Sequence, residues 1–428
     1  MLPRVQIMLM ERMNLSHASL FSWLVVIVKC TTIAFIPSII FCSSVQSFQA
    51  FILHRSILFT TLSPYEKTRF SQSKQQFISS PTTTTATATT TAAETTTLSS
   101  SPLLNMSTDS LSHLDPLPQP TLPTKTRQTY TNKNILLTGA SSGLGYALAL
   151  QLSTCNVQHL ILSGRNIDAL QRVAEECQNI ASSRKYSQTK VHVLPCDLAD
   201  LQAVQQMAIQ TLQACSGNND QRGIDILINN GGISSRSKFT DTSIDVDELL
   251  IKVNYLSGAA LAKQLVPSMI QHQYGKIIWI SSVQGKVGIP NRTSYAASKF
   301  AVQGYCDALR AELASSGISV HVISPGYIRT NLSRSAVMGN GQTYNQVDET
   351  TANGAYPSDV AVKILNSVAS GQTDLVVAAT LSAKVAIWLR LLFPSLLEWL
   401  LVKRFEKSER TNTAQKIDVP SSGKGKMD

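Results

Sequence analysis

Seven short apolar runs, separated by stretches of helical composition, constrain the fold of this chain more than any other sequence feature. Their apolar residues are continuous rather than alternating, which is typical of strands buried on both faces of a parallel sheet. The helical stretches between them then form βαβ units. We therefore predict an α/β fold with a doubly wound parallel sheet in a single domain over residues 132–380. The runs are NILLTGA, HLILSGR, KVHVLPCDL, DILINNGG, GKIIWISS, ISVHVISPG and TDLVVAA.

A glycine-rich turn follows the first of these runs. In TGASSGLG, Thr138 ends the predicted strand, and three glycines lead into the next helix. A dinucleotide pyrophosphate approaches the backbone closely at the positive end of a helix, where a Cβ atom would collide with it. Directly after a strand and before a helix, this spacing predicts a dinucleotide-binding Rossmann fold. The turn residues expected to contact the cofactor are Gly139, Ser141, Ser142, Gly143, Leu144 and Gly145.

The residues after the second, third and fourth runs bear on which dinucleotide binds. Arg165 ends LSGR, where this fold places the adenosine ribose. An arginine there pairs with a 2′-phosphate, which an acidic residue would repel. NADP(H) is therefore favoured over NAD(H), and a solvated loop arginine is the alternative reading. Asp197 and Leu198 are placed to meet the adenine, and Asn230 and Gly231 are placed against the cofactor.

A tyrosine and a lysine four residues apart form the candidate catalytic pair. Tyr295 and Lys299 share one face of a predicted helix. The ordinary pKa of tyrosine is about 10, and a nearby ammonium group stabilises the phenolate and lowers that pKa. Ser282 lies thirteen residues before Tyr295, on a loop long enough to bring its hydroxyl beside the phenol to hold a substrate carbonyl. Asn254 lies within a predicted helix, where asparagine is disfavoured, and we expect its backbone carbonyl to hold a water that leads to Lys299.

Together these motifs resemble the short-chain dehydrogenase/reductase family, and in finer detail its membrane-associated member-seven subgroup. The resemblance to the family covers about residues 132–379 and rests on TGASSGLG, NNGG, the four candidate catalytic residues and Pro325-Gly326. The finer resemblance rests on SSVQGKVGIPNRTSYAASKFAVQGYCDALRAEL, followed by VISPGYIRTNLS. The family resemblance implies that Tyr295 is the acid/base and that Lys299 binds the nicotinamide ribose. It also implies that Ser282 orients the substrate carbonyl and that Asn254 holds the relay water. NNGG stands where NNAG is usual, a conservative change. The resemblance places three further residues against the nicotinamide carboxamide: Pro325, Ile328 and Thr330.

The resemblance implies an oxidoreductase that transfers a hydride between NADP(H) and a carbonyl or alcohol group, without a metal. The subgroup and the apolar ends of the chain favour a lipophilic substrate. The alternative is a nucleotide-binding scaffold, or a redox-sensing interaction protein, whose chemistry has lapsed. Residues 331–346 are rich in glycine and asparagine and are expected to form a mobile lid over the substrate.

Composition excludes several other functions. Charged residues make up 15% of the chain, its net charge is +10 and its mean hydropathy is +0.03. The basic residues do not form one aromatic-interleaved patch, so we expect membrane lipid rather than nucleic acid as a partner. Seven cysteines without a CxxC pair indicate neither a disulfide framework nor a zinc site.

The N-terminal part of the chain divides into an apolar segment and a polar, low-complexity stretch. Residues 20–42 are long enough to cross a bilayer, although Lys29 and Pro37 interrupt them. We interpret residues 1–45 as a hydrophobic signal or a membrane anchor. Residues 46–131 contain PTTTTATATTTAAETTTLSSS and DPLPQPTLPT. They are predicted to be a disordered linker or transit region, because they cannot bury enough apolar surface to become ordered.

Residues 381–428 are predicted to form a membrane-associated apolar helix followed by a basic tail. Trp388 and Trp399, with basic residues alongside, favour a helical hairpin or an amphipathic helix in the membrane interface. A helix packed on the domain's own core or at a dimer contact is the alternative. A clean membrane span is disfavoured because the segment is interrupted by Arg390, Pro394 and Glu398.

Two glycosylation sequons bear on the compartment. Asn291 and Asn331 flank the candidate site, and a glycan at Asn291 would crowd the substrate entrance. We therefore expect the domain to lie on the cytosolic side of the endoplasmic reticulum membrane. The alternative is a plastid interior, reached through a two-part leader formed by the apolar segment and the Ser/Thr-rich stretch. A homodimer is compatible with the sequence, although no residue pattern specifies it.

Overall fold

The structure is a computed structural model that describes residues 121–184, 189–216 and 223–417. The predicted hydrophobic signal or anchor at residues 1–45, most of the predicted linker and the end of the basic tail lie outside the described residues. The described part of the chain contains one parallel sheet with helices on both of its faces.

The sheet consists of seven strands. They are β1 (Asn134–Thr138), β2 (His159–Gly164), β3 (Lys190–Pro195), β4 (Ile226–Asn229), β5 (Gly275–Ile280), β6 (Ile318–Pro325) and β7 (Asp374–Val377). All pairs are parallel, in the spatial order β3-β2-β1-β4-β5-β6-β7. Each of the seven apolar runs forms one strand, which confirms the predicted doubly wound fold. Because the order reverses between β1 and β4, their following loops diverge and leave a crevice of the kind that binds ligands.

The helices lie mostly between the strands. The α-helices of the described residues are α1 (Thr124–Tyr130), α2 (Gly143–Ser153), α3 (Ile167–Ser183), α4 (Leu201–Cys215), α5 (Ile244–Ile251), α6 (Ser257–Gln271), α7 (Thr293–Glu312), α8 (Glu349–Ala352), α9 (Pro357–Ala369), α10 (Leu381–Leu392) and α11 (Pro394–Ile417). A π-helical segment, Lys252–Leu256, joins α5 to α6 without a break, and a 3₁₀ turn, Val283–Gly285, follows β5.

Side-chain alternation along β1 shows how the sheet forms two cores. Ile135 and Leu137 pack on the face covered by α2 and α9, whereas Leu136 packs on the face covered by α4 and α6. Successive residues of a strand face opposite sides, so a strand with both faces covered needs continuous apolar residues. The sheet therefore forms the middle of three layers, and the packing fixes the carboxyl ends of its strands at one edge.

The predicted linker ends earlier than expected, because α1 forms within the stretch assigned to it. The hydroxyl of Tyr130 donates to the Leu365 carbonyl at 2.8 Å, and the Thr126 hydroxyl donates to Asn366 Oδ1 at 2.6 Å. Tyr130 is fully buried in the core beside α9. Burial of a large aromatic side chain offsets the entropy lost when one short helix becomes ordered.

Helices α10 and α11 carry several large apolar side chains that are exposed. Trp388 is 63% exposed and Trp399 is 51% exposed. Arg390 attaches α10 to the domain, since its guanidinium donates to the Lys286 carbonyl at 2.8 Å and lies 4.3 Å from the centre of the Phe300 ring. Within the described ranges, every helix is too short or too polar to serve as a transmembrane span.

Candidate active site

The glycine-rich turn between β1 and α2 has positions at which only glycine fits. Gly139 and Gly143 have φ angles of 65° and 55°, in the left-handed region that favours glycine. A Cβ atom on Gly145 would lie 2.0 Å from the Gly139 carbonyl oxygen. The turn thereby brings bare backbone to the first turn of α2, where unpaired N–H groups and the helix dipole favour an anionic group.

The other predicted residues of this turn have distinct positions. Ser142 is the N-cap residue of α2, and its carbonyl accepts a hydrogen bond from the Tyr146 N–H at 3.2 Å. Leu144 is buried in the core, so its contribution at the turn comes from its backbone. The Ser141 hydroxyl lies 3.3 Å from where a Cβ on Gly164 would stand, which places it at the end of β2.

Arg165 follows Gly164 directly at the end of β2. Its side chain is exposed, and among the described residues it has no ion-pair partner. Ser141 lies beside the same strand end. A guanidinium and a hydroxyl therefore lie at this edge of the sheet, and their binding of a phosphate group stays a prediction of the sequence.

Thr138 and Asn230 hold the ends of β1 and β4 together. The Thr138 hydroxyl accepts hydrogen bonds from the N–H groups of Asn230 and Gly231 at 3.1 and 3.0 Å. The Asn230 amide donates to the carbonyls of Thr138 and Gly139 at 3.0 and 3.2 Å. The sequence places Asn230 against the cofactor, and the structure shows that its side chain braces the glycine-rich turn.

Gly231 gives space to Leu198, from the loop after β3. A Cβ atom on Gly231 would lie 2.4 Å from Leu198 Cδ1. An alanine at this position, as in NNAG, would therefore meet Leu198, a contact that the sequence does not reveal. Asp197 is exposed, and its carboxylate accepts a hydrogen bond from the Ala199 N–H at 3.0 Å. The loop after β3 thus reaches the same crevice as the loops after β1 and β4.

The loop after β6 covers the glycine-rich turn. Pro325 is the last residue of β6 and pairs with Val377 of β7. The Thr330 methyl lies 2.9 Å from where a Cβ on Gly143 would stand. Ile328 forms an isolated parallel bridge with Ala355. Of these three predicted cofactor contacts, Thr330 lies over the turn itself, while Pro325 and Ile328 fix the course of the loop.

Tyr295 is buried near the start of α7, with 5% of its surface exposed. Burial raises the pKa of Tyr295, because the charged phenolate is poorly solvated there. A hydrogen bond with the Ser282 hydroxyl acts in the opposite direction and lowers that pKa, as do the charges of Arg236 and Arg292. Ser282 precedes the 3₁₀ turn, and its hydroxyl accepts from the Gln284 N–H at 3.1 Å. The structure therefore brings Tyr295 and Ser282 together, as the sequence predicts.

Lys299 lies one helical turn further along α7 and is 4% exposed. Its Nζ donates to the Ile280 carbonyl at 3.0 Å and lies 5.7 Å from the centre of the Tyr295 ring. Burial lowers the pKa of Lys299 to about 8. The sequence assigns the lowering of the Tyr295 pKa to Lys299, and this stays a prediction. Arg236 and Arg292 are two further cations that lower this pKa, and the sequence does not predict them.

Asn254 is buried in the π-helical segment, which accounts for an asparagine within a helix. Its side chain binds both edges of Ile233: Oδ1 accepts from the N–H at 2.8 Å and Nδ2 donates to the carbonyl at 2.9 Å. Nδ2 also donates to the Ser298 hydroxyl at 2.8 Å. Asn254 thus fixes the loop after β4 to α7. A Cβ atom on Gly232 would lie 2.9 Å from Asn254 Oδ1 and 3.5 Å from Lys299 Nζ, so Asn254 and Lys299 face the same point.

Three charged residues near Tyr295 are not found from the sequence. The Asp348 carboxylate oxygen Oδ2 accepts from Arg236 Nη2 at 2.6 Å, from Arg236 Nε at 2.9 Å and from Arg292 Nη2 at 3.1 Å. Although burial raises the pKa of Asp348, the two arginines outweigh that effect and hold the pKa below its ordinary value. The three residues are far apart in the chain and belong to no motif, so no local pattern signals them.

The segment expected to form a mobile lid, residues 331–346, is hydrogen-bonded to the loop after β4. The Val337 N–H donates to the Ser234 carbonyl at 2.8 Å, and the Arg236 N–H donates to the Val337 carbonyl at 2.9 Å. Val337 also packs beside Tyr295. The segment therefore forms one wall of the site.

An apolar cavity of about 350 Å³ lies between α11 and the loop before α7. A Cβ atom on Gly288, in its wall, would lie 4.0 Å from Ala296 Cβ, next to Tyr295 in the chain. The cavity therefore adjoins the helix that carries the candidate catalytic pair. Its apolar lining consists mainly of Val287, Pro290, Leu397, Leu401 and Phe405.

Comparisons with known proteins point to one family. The model of the short chain dehydrogenase family matches residues 133–340. A dehydrogenase/reductase SDR family protein 7-like of Drosophila melanogaster is 43% identical over 287 residues, which are 67% of this chain and 84% of that protein. The dehydrogenase/reductase SDR family member 7B of Bos taurus is 42% identical over 284 residues, 65% of this chain and 83% of that protein.

Among solved structures, a short-chain dehydrogenase from Sphingobium yanoikuyae in complex with NADPH is similar to this chain, with a TM-score of 0.48 and 22% identity. The match covers 68% of this chain and 98% of that protein. The family model ends near the middle of the segment after β6, whereas the matches to the two curated relatives are longer.

Proposed function

The chain belongs to the short-chain dehydrogenase/reductase family, and on that basis we propose that it is a membrane-associated, NADP(H)-dependent oxidoreductase of a lipophilic carbonyl or alcohol. The observation that carries the proposal is the buried cluster of Tyr295, Ser282, Lys299 and Asn254 at the carboxyl edge of the sheet. Its relatives are named dehydrogenase/reductases, which supports the same reaction class.

The residues around the crevice fit a dinucleotide that carries a 2′-phosphate. Gly139, Gly143 and Gly145 leave the backbone bare where the pyrophosphate would approach. Arg165 and Ser141 would bind the 2′-phosphate at the end of β2, and this charge favours NADP(H) over NAD(H). When bound, the dinucleotide supplies or accepts the hydride.

The four buried residues would polarise the substrate carbonyl and transfer the proton. Ser282 and Tyr295 would donate hydrogen bonds to the substrate oxygen and polarise the carbonyl. Tyr295 would then give its proton to that oxygen, or take it back in the reverse direction. Lys299, whose pKa is about 8, would stabilise the phenolate left behind, and its position next to Asn254 supports a proton path between them.

The C-terminal helices support a membrane-associated protein with a lipophilic substrate. The exposed tryptophans of α10 and α11 suit the interface between headgroups and acyl chains. Lys403 lies over the Trp399 ring at 4.1 Å from its centre, which puts a cation where anionic headgroups would be. The apolar cavity beside α11 would receive the apolar part of the substrate.

We propose the cytosolic face of the endoplasmic reticulum as the location, with a plastid interior as the alternative. A fluorescent fusion of the full chain, compared with a fusion that lacks residues 1–130, separates the two. Reticular fluorescence of the full-length fusion supports the first location, and plastid fluorescence supports the second. Cross-linking of the purified protein would show whether it forms a homodimer.

The experiment that tests the enzymatic proposal replaces Tyr295 by phenylalanine. Consumption of NADPH is measured with a panel of hydrophobic ketones and aldehydes, and NADPH binding is measured separately by its fluorescence. Tyr295→Phe is expected to lower turnover at least a hundredfold with binding unchanged. Tyr305→Phe is the matched control. Tyr305 packs in an aromatic cluster with Tyr255 and Trp279, against the core on the sheet face covered by α4 and α6. Wild-type activity in Tyr295→Phe would refute the assignment.

Binding of NADPH without turnover of any substrate, by the wild-type chain, would instead favour the lapsed scaffold. The cofactor preference has its own test. Arg165→Asp is expected to shift the ratio of kcat/KM for NADPH to that for NADH at least tenfold toward NADH. Arg172→Asp, an exposed arginine on α3, is the control and should leave the ratio unchanged. An unchanged ratio in Arg165→Asp would remove Arg165 from the phosphate site.

A further inference from the structure

One carboxylate oxygen joins two arginines from different segments beside Tyr295. Asp348 Oδ2 accepts hydrogen bonds from Arg236, in the loop after β4, and from Arg292, which precedes α7. Asp348 itself stands at the end of the long loop after β6, directly before α8. The side chains of all three are largely buried, with 10%, 16% and 13% exposed for Arg236, Asp348 and Arg292.

These contacts attach the wall of the site to the helix that carries Tyr295. Arg292 is the N-cap residue of α7, and its carbonyl accepts from the Ala296 N–H at 2.8 Å. Arg236 also donates to the Ser234 hydroxyl at 2.6 Å. Both residues belong to the part of the loop after β4 whose backbone is hydrogen-bonded to Val337. Displacement of Asp348 would therefore loosen the loop after β6 and the start of α7 at the same time.

The charges do not balance, since two guanidinium groups face one carboxylate. The excess of one positive charge lies close enough to Tyr295 to favour its phenolate. Other groups that face Tyr295 are the Lys299 ammonium on its own helix and the Ser282 hydroxyl from the loop after β5, while Tyr327, from the loop after β6, faces Arg292. The contact from α5 is uncharged, because it is made by Val246 and Leu250.

We propose that Arg236, Asp348 and Arg292 are positioning residues, which hold the loop after β6 against α7 and set the net charge beside the Tyr295 phenol. This proposal rests on the proposed role of Tyr295 as acid/base. It predicts that the carboxylate and the arginines act on Tyr295 with opposite sign, although they belong to one ion-pair cluster. If the cluster only stabilised the fold, loss of the carboxylate and loss of an arginine would not shift the titration of Tyr295 in opposite directions.

The test compares Asp348→Asn with Arg236→Gln in the full-length protein. Asp348→Asn keeps size and a hydrogen-bond acceptor but removes a negative charge, so the pH at which Tyr295 titrates should fall. Arg236→Gln removes a positive charge, so that pH should rise. Each shift should be at least about half a pH unit for charges this close in a poorly solvated site. Arg236→Lys keeps the charge and should restore the wild-type value.

Two readouts separate this proposal from the enzymatic one. The first is the pH profile of kcat/KM. The second is ¹³C NMR of the protein labelled at the ζ carbons of tyrosine, with the Tyr295 signal assigned by its loss in Tyr295→Phe. The NMR titration reports on Tyr295 even if no substrate turns over, in which case only the enzymatic proposal fails.

The exposed pair Glu248 and Lys252 provides a matched control, because its side chains are 60% and 44% exposed, so that solvent screens their charges. Glu248→Gln should leave the titration of Tyr295 unchanged. Opposite shifts in Asp348→Asn and Arg236→Gln support the proposal. Shifts of the same sign, or two variants that lose activity or stability with no shift, would overturn it and leave the cluster a purely structural one.

Discussion

Replacement of Lys299 by methionine should stabilise the protein while it abolishes turnover. Lys299 titrates at about 8 in the folded chain rather than at its ordinary 10.5, because its ammonium is buried. At neutral pH this difference costs the folded state about 3 kcal/mol. Methionine fills a similar volume without a charge, but it loses the hydrogen bond to the Ile280 carbonyl, worth about 1–2 kcal/mol. The variant should therefore be more stable than the wild type by about 1–2 kcal/mol at pH 7.

The dependence of the free energy of unfolding on pH tests independently whether the buried ammonium destabilises the folded chain. Between pH 8 and pH 10.5 the unfolded chain binds a proton at Lys299 that the folded chain has released. The free energy of unfolding of the wild type therefore rises with pH across this window. Lys299→Met lacks this contribution, so its advantage should shrink by about 3 kcal/mol as the pH rises from 7 to above 10.

Equilibrium urea unfolding of the full chain, followed by far-ultraviolet circular dichroism at several pH values, measures both quantities. The difference between variant and wild type cancels the titration of the groups that do not interact with Lys299. Lys263→Met, at an exposed position on α6, is the matched control and should show a difference that is independent of pH. A constant difference for Lys299→Met would mean that the ammonium is well solvated or paired in the folded protein, and the reasoning from burial would be wrong.

Three other perturbations follow from close contacts and burial. Gly145→Ala places a Cβ atom 2.0 Å from the Gly139 carbonyl oxygen, so NADPH affinity measured by fluorescence titration should fall at least tenfold. Gly231→Ala should cost about 1–3 kcal/mol in urea unfolding because it meets Leu198, and adding Leu198→Ala should recover part of that loss. Burial lowers the pKa of His321 to about 4, so its contribution to stability is lost as the pH falls from 6.5 towards 4. In His321→Gln the melting temperature should therefore depend less on pH over that range.

The sheet was predictable because each strand carries its own signal. Runs such as NILLTGA contain enough continuous apolar residues to identify a buried parallel strand, and the glycines after it identify the turn. Tyr295, Lys299 and Ser282 were found for a related reason, since their spacing on one helix and one strand end is short and regular. A local sequence pattern is sufficient to predict a feature whose geometry is specified by a few neighbouring residues.

The remaining features depend on contacts that are distant in the chain. Asp348 meets Arg236 across 112 residues and Arg292 across 56 residues, and none of the three stands in a recognisable motif. Helix α1 forms because Tyr130 reaches Leu365, 235 residues further along. In both cases the partner is chosen by packing in the folded state, so the sequence near either residue contains no sign of it.

The π-helical segment at Lys252–Leu256 makes chain length a constraint in its own right. A π turn holds one residue more than an α turn, so deletion of a single residue there would yield an uninterrupted α-helix. Everything on one side of the deletion would then turn by about 100° relative to the other side. Asn254 would swing away from Ile233 even though its identity had not changed. At this place the count of residues, more than their chemistry, decides whether the site assembles.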